Sequence, residues 1–217
     1  MTKTTDVHEA VRQELDFDPL IDATDITVVN LGGAVALNGA VASYPQYLEA
    51  AAAARRVAGV KRLDNHLEVV LSDAAYRDDP ILTTAANNAL ASTVTVPSSV
   101  EAWARDGILT LTGEVSFGTQ RAAAANAVAG LIGVRGIRDR IEINNTADPV
   151  DVLVNVQDAL DRYALVGDDS VVEVDTDQHR VTLSGNVRTW AERDAVVDAA
   201  WRTRGVYVVR DDLSIIR

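Results

Sequence analysis

The residues able to do chemistry in this chain are few, and their spacing limits them. Three histidines, His8, His66 and His179, form no pair at metal-ligand spacing, and there is no cysteine. Disulfides, thiolate metal sites and cysteine nucleophiles are therefore excluded. Ser184 stands in Leu-Ser-Gly-Asn, which is not the Gly-x-Ser-x-Gly elbow of a serine nucleophile. The cluster Gly130-x-x-Gly133-x-x-Gly136 lacks both the phosphate-loop lysine and the dinucleotide spacing, and reads as a helix end. Asp168, Asp169, Glu173, Asp175 and Asp177 are rich in carboxylate, but they miss the Asp-x-Asp-x-Asp-Gly order and distant Glu of a calcium loop. No base, nucleophile and stabiliser come together. The expectation is a protein that is not an enzyme, with no catalytic residue, no metal and no cofactor.

Composition narrows the partners. The 217 residues carry a formal net charge of -12, with 47% apolar and 24% charged residues. That balance is ordinary for a folded chain and argues against disorder. An acidic surface repels phosphate backbones. The two basic clusters, Arg55-Arg56 with Lys61-Arg62 and Arg135, Arg138 with Arg140, lie beside acids and do not alternate with aromatics, so no nucleic-acid partner is expected. No apolar run approaches the roughly 20 residues that span a bilayer. The first residues lack the apolar core of a signal peptide, which predicts a cytoplasmic location.

The strongest signal is repetition. Val35-Ala-Leu-Asn-Gly39-Ala-Val41, Leu109-Thr-Leu-Thr-Gly113-Glu-Val115 and Val181-Thr-Leu-Ser-Gly185-Asn-Val187 share the form apolar-x-Leu-x-Gly-x-Val, at spacings of 74 and 72 residues. Twenty residues after each glycine comes Gly59-Val60, Gly133-Val134 or Gly205-Val206. A third string follows in register: Leu63-x-Asn65-x-Leu67, Ile137-x-Asp139-x-Ile141 and Val209-x-Asp211-x-Leu213. Three tandem domains are read, at 6–71, 79–144 and 148–216. Gly133-Val-Arg-Gly136 also matches the Gly-x-x-Gly clamp of nucleic-acid-binding KH loops. The other copies place Arg62 and Val208 at the second glycine, so that match is accidental.

Local patterning supplies the elements. The first string alternates with period two, and a turn-rich segment precedes it, which predicts a hairpin with one buried and one wet face, as in an antiparallel sheet covered on a single side. Helical spacing occupies Tyr47 to Ala58, Thr119 to Leu131 and Trp190 to Thr203, and again near Val7 to Leu15, Ile81 to Leu90 and Val152 to Leu160. Each copy reads helix, strand, strand, helix, strand. Gly39, Gly113 and Gly185 are expected to make room for the second helix or a local bulge. Gly59, Gly133 and Gly205 are expected in the left-handed position that ends it. Asn65, Asp139 and Asp211 put a polar group on the apolar parity, so either the last strand begins after them or they are buried and bonded to backbone. The joints at 72–79 and 145–148 are short, and neighbouring copies are expected to touch.

These three strings in fixed order resemble the BON domain, named for bacterial osmotic-stress and nodulation proteins, in three copies across nearly the whole chain. The resemblance implies an α+β fold: three tandem αββαβ units, each a small three-stranded sheet covered on one face by two helices. It further implies a non-enzymatic binding or scaffolding module, associated with a phospholipid membrane surface or another protein in osmotic or envelope stress, at the inner membrane face if cytoplasmic. Tyr44, Phe117 and Trp190, four or five residues after the strand glycine, are the candidate lipid or partner contacts, with a staple onto their own core as the other reading. Self-association through open sheet edges and sensing of potassium are the alternatives.

Overall fold

The computed structural model describes residues 6–144, 149–162, 171–177 and 179–216. Its elements repeat three times: α1 (Val7–Phe17), β1 (Ile26–Leu31), β2 (Ala34–Val41), α2 (Tyr44–Arg56), β3 (Arg62–Val69); then α3 (Asp79–Ser92), β4 (Glu101–Arg105), β5 (Ile108–Val115), α4 (Gly118–Ala129), β6 (Gly136–Ile143); then α5 (Pro149–Asp161), β7 (Val171–Asp177), β8 (Arg180–Val187), α6 (Trp190–Trp201), β9 (Val208–Ile215). Three separate sheets run β1-β2-β3, β4-β5-β6 and β7-β8-β9. The joint at 145–148, together with Asp168 and Asp169, lies outside the described residues.

Contacts divide the chain into two compact units that cut through the middle repeat. One holds Met1–Ala86, Trp103–Thr110 and Ala129–Arg138; the other holds Asn87–Ala102, Leu111–Val128 and Asp139–Arg217. In the first unit Val35, Leu37 and Val41 of β2 meet Val11 and Leu15 of α1 and Ala50, Ala53 and Ala54 of α2. The third repeat builds the same core from Val181, Leu183 and Val187 with Val152 and Val156 and with Val196, Ala199 and Ala200. Alanine at the helix positions facing the sheet lets the backbones approach closely, and each buried valine or leucine contributes about 1.5–3 kcal/mol.

The expected antiparallel sheet is instead mixed. β1 pairs antiparallel with β2, but β2 pairs parallel with β3, Val35 opposite Leu63 and Gly39 opposite Leu67. The third repeat pairs the same way, with β8 parallel to β9. The reason is the intervening helix, which carries the chain back to the end where the second strand began, so the last strand restarts in the same direction.

Every repeat consequently has two unlike ends. At the tip lie the hairpin turn and the Gly-Val turn, tied by backbone bonds: Lys61 N and Arg62 N donate to Gly33 O, Arg135 N to Gly107 O, and Tyr207 N and Val208 N to His179 O. At the base lie the strand glycine, the start of the second helix and the end of the last strand, where Val70 N donates to Val41 O, Asn144 N to Val115 O and Ile216 N to Val187 O. The hairpin turns need left-handed backbone, supplied by Gly32 and Gly33 (φ 64 and 98) and by Asp106 and Gly107 (φ 53 and 75).

Candidate functional site

The six repeated glycines hold backbone, but not in the way their parity suggests. Gly39, Gly113 and Gly185 have φ of 122, 127 and 111, a region closed to most other residues. A Cβ on Gly39 would strike the carbonyl oxygen of Asp25, and one on Gly113 that of Ser99. Those carbonyls belong to the segment leading into the first strand, and Ala40 N donates to Asp25 O at 3.3 Å. The close neighbour is therefore the preceding strand's backbone, and the expectation of room for the second helix is corrected: Gly39 is itself solvent-exposed. Gly59, Gly133 and Gly205 (φ 101, 102 and 90) lie beyond the helix end. They are the third residue of turns closed by Val60 N on Val57 O, Val134 N on Leu131 O and Val206 N on Thr203 O. Such turns demand positive φ there, so these glycines shape a turn and do not cap the helix.

The aromatic trio is a pair plus one. Counting from the strand glycine, Tyr44 and Trp190 fall at the fifth residue and open their helices, whereas Phe117 falls at the fourth, where Ser43 and Thr189 stand. Ser43 Oγ accepts from Gln46 N and Thr189 Oγ1 from Glu192 N, the ordinary hydroxyl cap. Phe117 cannot cap, and Gln120 Oε1 instead accepts both Ser116 N and Phe117 N. All three aromatics are half-buried. Tyr44 packs on the first core and stacks on Tyr47, with ring centroids 5.5 Å apart. Burial holds the Tyr44 hydroxyl above its ordinary pKa, with Tyr47 adding to the shift. Trp190 lies under the Arg193 guanidinium, 5.0 Å from its ring centroid.

Gly118 occupies the aromatic position in the second repeat, and a foreign side chain fills the place. A Cβ on Gly118 would run into the indole of Trp201, with Cδ2 at 2.9 Å and the Trp201 carbonyl oxygen at 3.1 Å. Trp201 ends α6 at the tip side of the third repeat. Within the second unit the base of one repeat thus receives an aromatic from the tip of the next. Within the first unit, Arg135, in the Gly-Val turn at the tip of the second repeat, donates from Nε to Val69 O at 3.1 Å, at the base of the first.

Residues missed in the sequence lie three positions further on. Arg121 Nε donates to Asp139 Oδ2 at 2.6 Å, and Arg193 Nε to Asp211 Oδ2 at 2.7 Å. The other carboxylate oxygens accept from Ile141 N and Leu213 N. In the first repeat Tyr47 replaces the arginine and Asn65 the aspartate, and Asn65 Nδ2 donates to Tyr47 O while its Oδ1 accepts from Leu67 N. The last strands run through these positions and their side chains bond to backbone, as the second reading has it, but Asp139 is exposed and Asn65 and Asp211 are only half-buried. The signal was present, because each pair is separated by 18 residues.

Two further ionisable side chains, Arg56 and His179, are tied into the fold. Arg56 binds Glu14 through Nε, Glu49 through Nη1 and Asp18 through Nη2, at 3.0, 2.9 and 2.7 Å. The Leu20 amide, and after it Arg56, holds the Asp18 carboxyl below its ordinary pKa, while Glu49, Glu14 and Asp18 raise that of Arg56. His179 Nδ1 lies 2.9 Å from Gly205 O, and its ring stacks on Tyr207. Among the described residues no group of three or more His, Asp or Glu could hold a metal ion, and no helix is long and apolar enough to cross a membrane. Glu173, Asp175 and Asp177 line the exposed face of β7.

Three αββαβ copies in succession define a tandem-repeat protein. The BON domain profile matches residues 3–70, 78–145 and 151–217, and the chain belongs to the BON domain family. No curated protein matches the chain. Among solved structures, it is similar to the C-terminal domain of CdsD, a structural protein of the type III secretion system of Chlamydia trachomatis, at 14% identity and a TM-score of 0.27, covering 98% of each chain. It is also similar to the periplasmic domain of PrgH, a type III secretion inner membrane protein of S. typhimurium, at 11% identity and a TM-score of 0.24, covering 89% of this chain and 96% of that one.

Proposed function

We propose that this BON-domain chain is a non-catalytic scaffold that associates with further copies of itself, tip to base. The observation that carries the reading is the common polarity of the two junctions, Arg135 on Val69 and Trp201 on Gly118. A contact between two unlike surfaces always leaves one of each kind at the ends of a series, and repeating it gives rings or open filaments. The tip of the first repeat and the base of the third carry the same two kinds of surface. They expose Leu31 (78%) and Ile216 (47%), apolar side chains that water does not favour. Sedimentation velocity over a range of concentrations is the test. Average mass should climb above the 23.2 kDa of one chain as concentration rises; a single 23.2 kDa species throughout would end the proposal.

A second reading, peripheral contact with phospholipid at the inner membrane face under osmotic or envelope stress, is favoured by Phe17 and Leu20. Phe17, the last residue of α1, and Leu20, just beyond it, are 85% and 66% exposed. The net charge of -12 opposes anionic headgroups, so insertion of these apolar side chains must carry the binding. Co-sedimentation with zwitterionic liposomes, lost in the Phe17→Ser, Leu20→Ser variant, is the expected result. Equal recovery of that variant and the parent would reject it.

A further inference from the structure

The groove between α5 and α6 of the third repeat is about 420 Å³, and Ala159, Arg162, Arg202, Thr203 and Arg204 are among its lining. Three guanidinium groups in one recess run against the charge of a chain at -12. The first repeat shows what this place ordinarily contains. Arg202 follows Gly185 by 17 residues, as Arg56 follows Gly39. In the first repeat each nitrogen of that guanidinium binds a carboxylate, from Glu14, Glu49 and Asp18.

In the third repeat those carboxylates are gone from the described positions. Aligning buried Val11 and Leu15 of α1 with Val156 and Leu160 of α5 puts Ala159 where Glu14 stands. Counting ten residues from the strand glycine puts Ala195 where Glu49 stands. The counterpart of Asp18 is Tyr163, outside the described residues. The second repeat has neither partner, with Gly130 in place of the arginine and Ala89 and Ala123 in place of the two glutamates. So the third repeat alone keeps the arginine, adds Arg162 and Arg204 beside it, and truncates two of its internal acids to alanine. Arg202 holds Asp198 at 3.2 Å, one turn back on its own helix, where both side chains are 59% exposed. The Thr203 hydroxyl donates to Ala199 O and lies beneath the groove.

We infer that this groove binds a small di- or tricarboxylate. Each ligand carboxylate would take the place of a glutamate that the first repeat supplies from its own chain, and guanidinium forks match carboxylate geometry through paired N–H donors. Because the arginines are exposed, the attraction is screened by salt and should be measured at low ionic strength. The site does not depend on self-association: a chain that stayed monomeric and bound the ligand would lose the scaffold reading and keep this one.

The test is calorimetric titration of the full chain with citrate, and separately with inorganic phosphate. Saturable citrate binding is expected, weakened about tenfold or more in Arg202→Gln through loss of a charge-assisted pair. The same loss is expected in Ala159→Glu, which restores an internal carboxylate without removing an arginine. If melting shows Arg202→Gln to be unfolded, Arg162→Gln takes its place, with the same expected loss. The inference fails if citrate gives no saturable heat, if phosphate binds as tightly as citrate, or if Ala159→Glu binds citrate as well as the parent.

Discussion

Gly113→Ala should lower the melting temperature by about 6–12 °C, the shift expected of about 3 kcal/mol in a chain of this length. Two costs add. An L-residue is forced to a φ of 127, and its Cβ is driven at the backbone carbonyl of Ser99, which cannot swing aside as a side-chain tip can. Ser99 is also held from its other end, since its Oγ donates to Glu114 O at 2.6 Å. Gly130→Ala is the control within the same repeat. That glycine has no atom within 4 Å of a built Cβ and no positive φ, so alanine should leave stability within about 1 kcal/mol of the parent, on either side. Calorimetry on both variants decides the matter. Equal melting of the two would show that the repeated glycine is not required for backbone fit.

The second large effect concerns the Gly118–Trp201 junction. Trp201→Ala empties the place at the base of the second repeat and should cost roughly 2–4 kcal/mol, somewhat less than truncation of a fully buried tryptophan because Trp201 is half-buried. Gly118→Tyr alone should be at least as harmful, because even a Cβ there meets the indole. Combining Gly118→Tyr with Trp201→Ala exchanges large for small across the contact. It also copies residues present one repeat earlier, where Tyr44 and Ala129 hold the equivalent positions. The double variant should melt above either single one, with a favourable coupling of about 1–2 kcal/mol measured by chemical denaturation. Purely additive losses would show that the two residues are not each other's partners.

The repeats, their element order and the buried face of each hairpin could be read from sequence because period-two alternation and fixed glycine spacing are local signals. The parallel pairing of the last strand could not be read this way. It is decided by where the second helix leaves the chain, and no residue within β3 marks that. Spacing marks the glycines, but for Gly39 and Gly113 parity points to the helix and away from the true neighbour, since it says which way a side chain would point and nothing about a carbonyl one strand away. Phe117 reads as one of a set with Tyr44 and Trp190 because a one-residue offset is invisible without the helix start to count from. The Arg121–Asp139 and Arg193–Asp211 pairs needed two observations at once: a constant position on the helix and a constant position on the strand.

Those pairs also bear on how such an array can change its length. The residue on the second helix and its partner on the last strand lie 18 positions apart, and the first repeat uses a different pairing from the other two. Recombination that breaks the gene between the two codons would join Tyr47 to Asp139, or Arg121 to Asn65, and leave a charge without its opposite. Breaks between whole copies avoid that mismatch, so lineages should lengthen or shorten such arrays by complete domains and seldom by fragments.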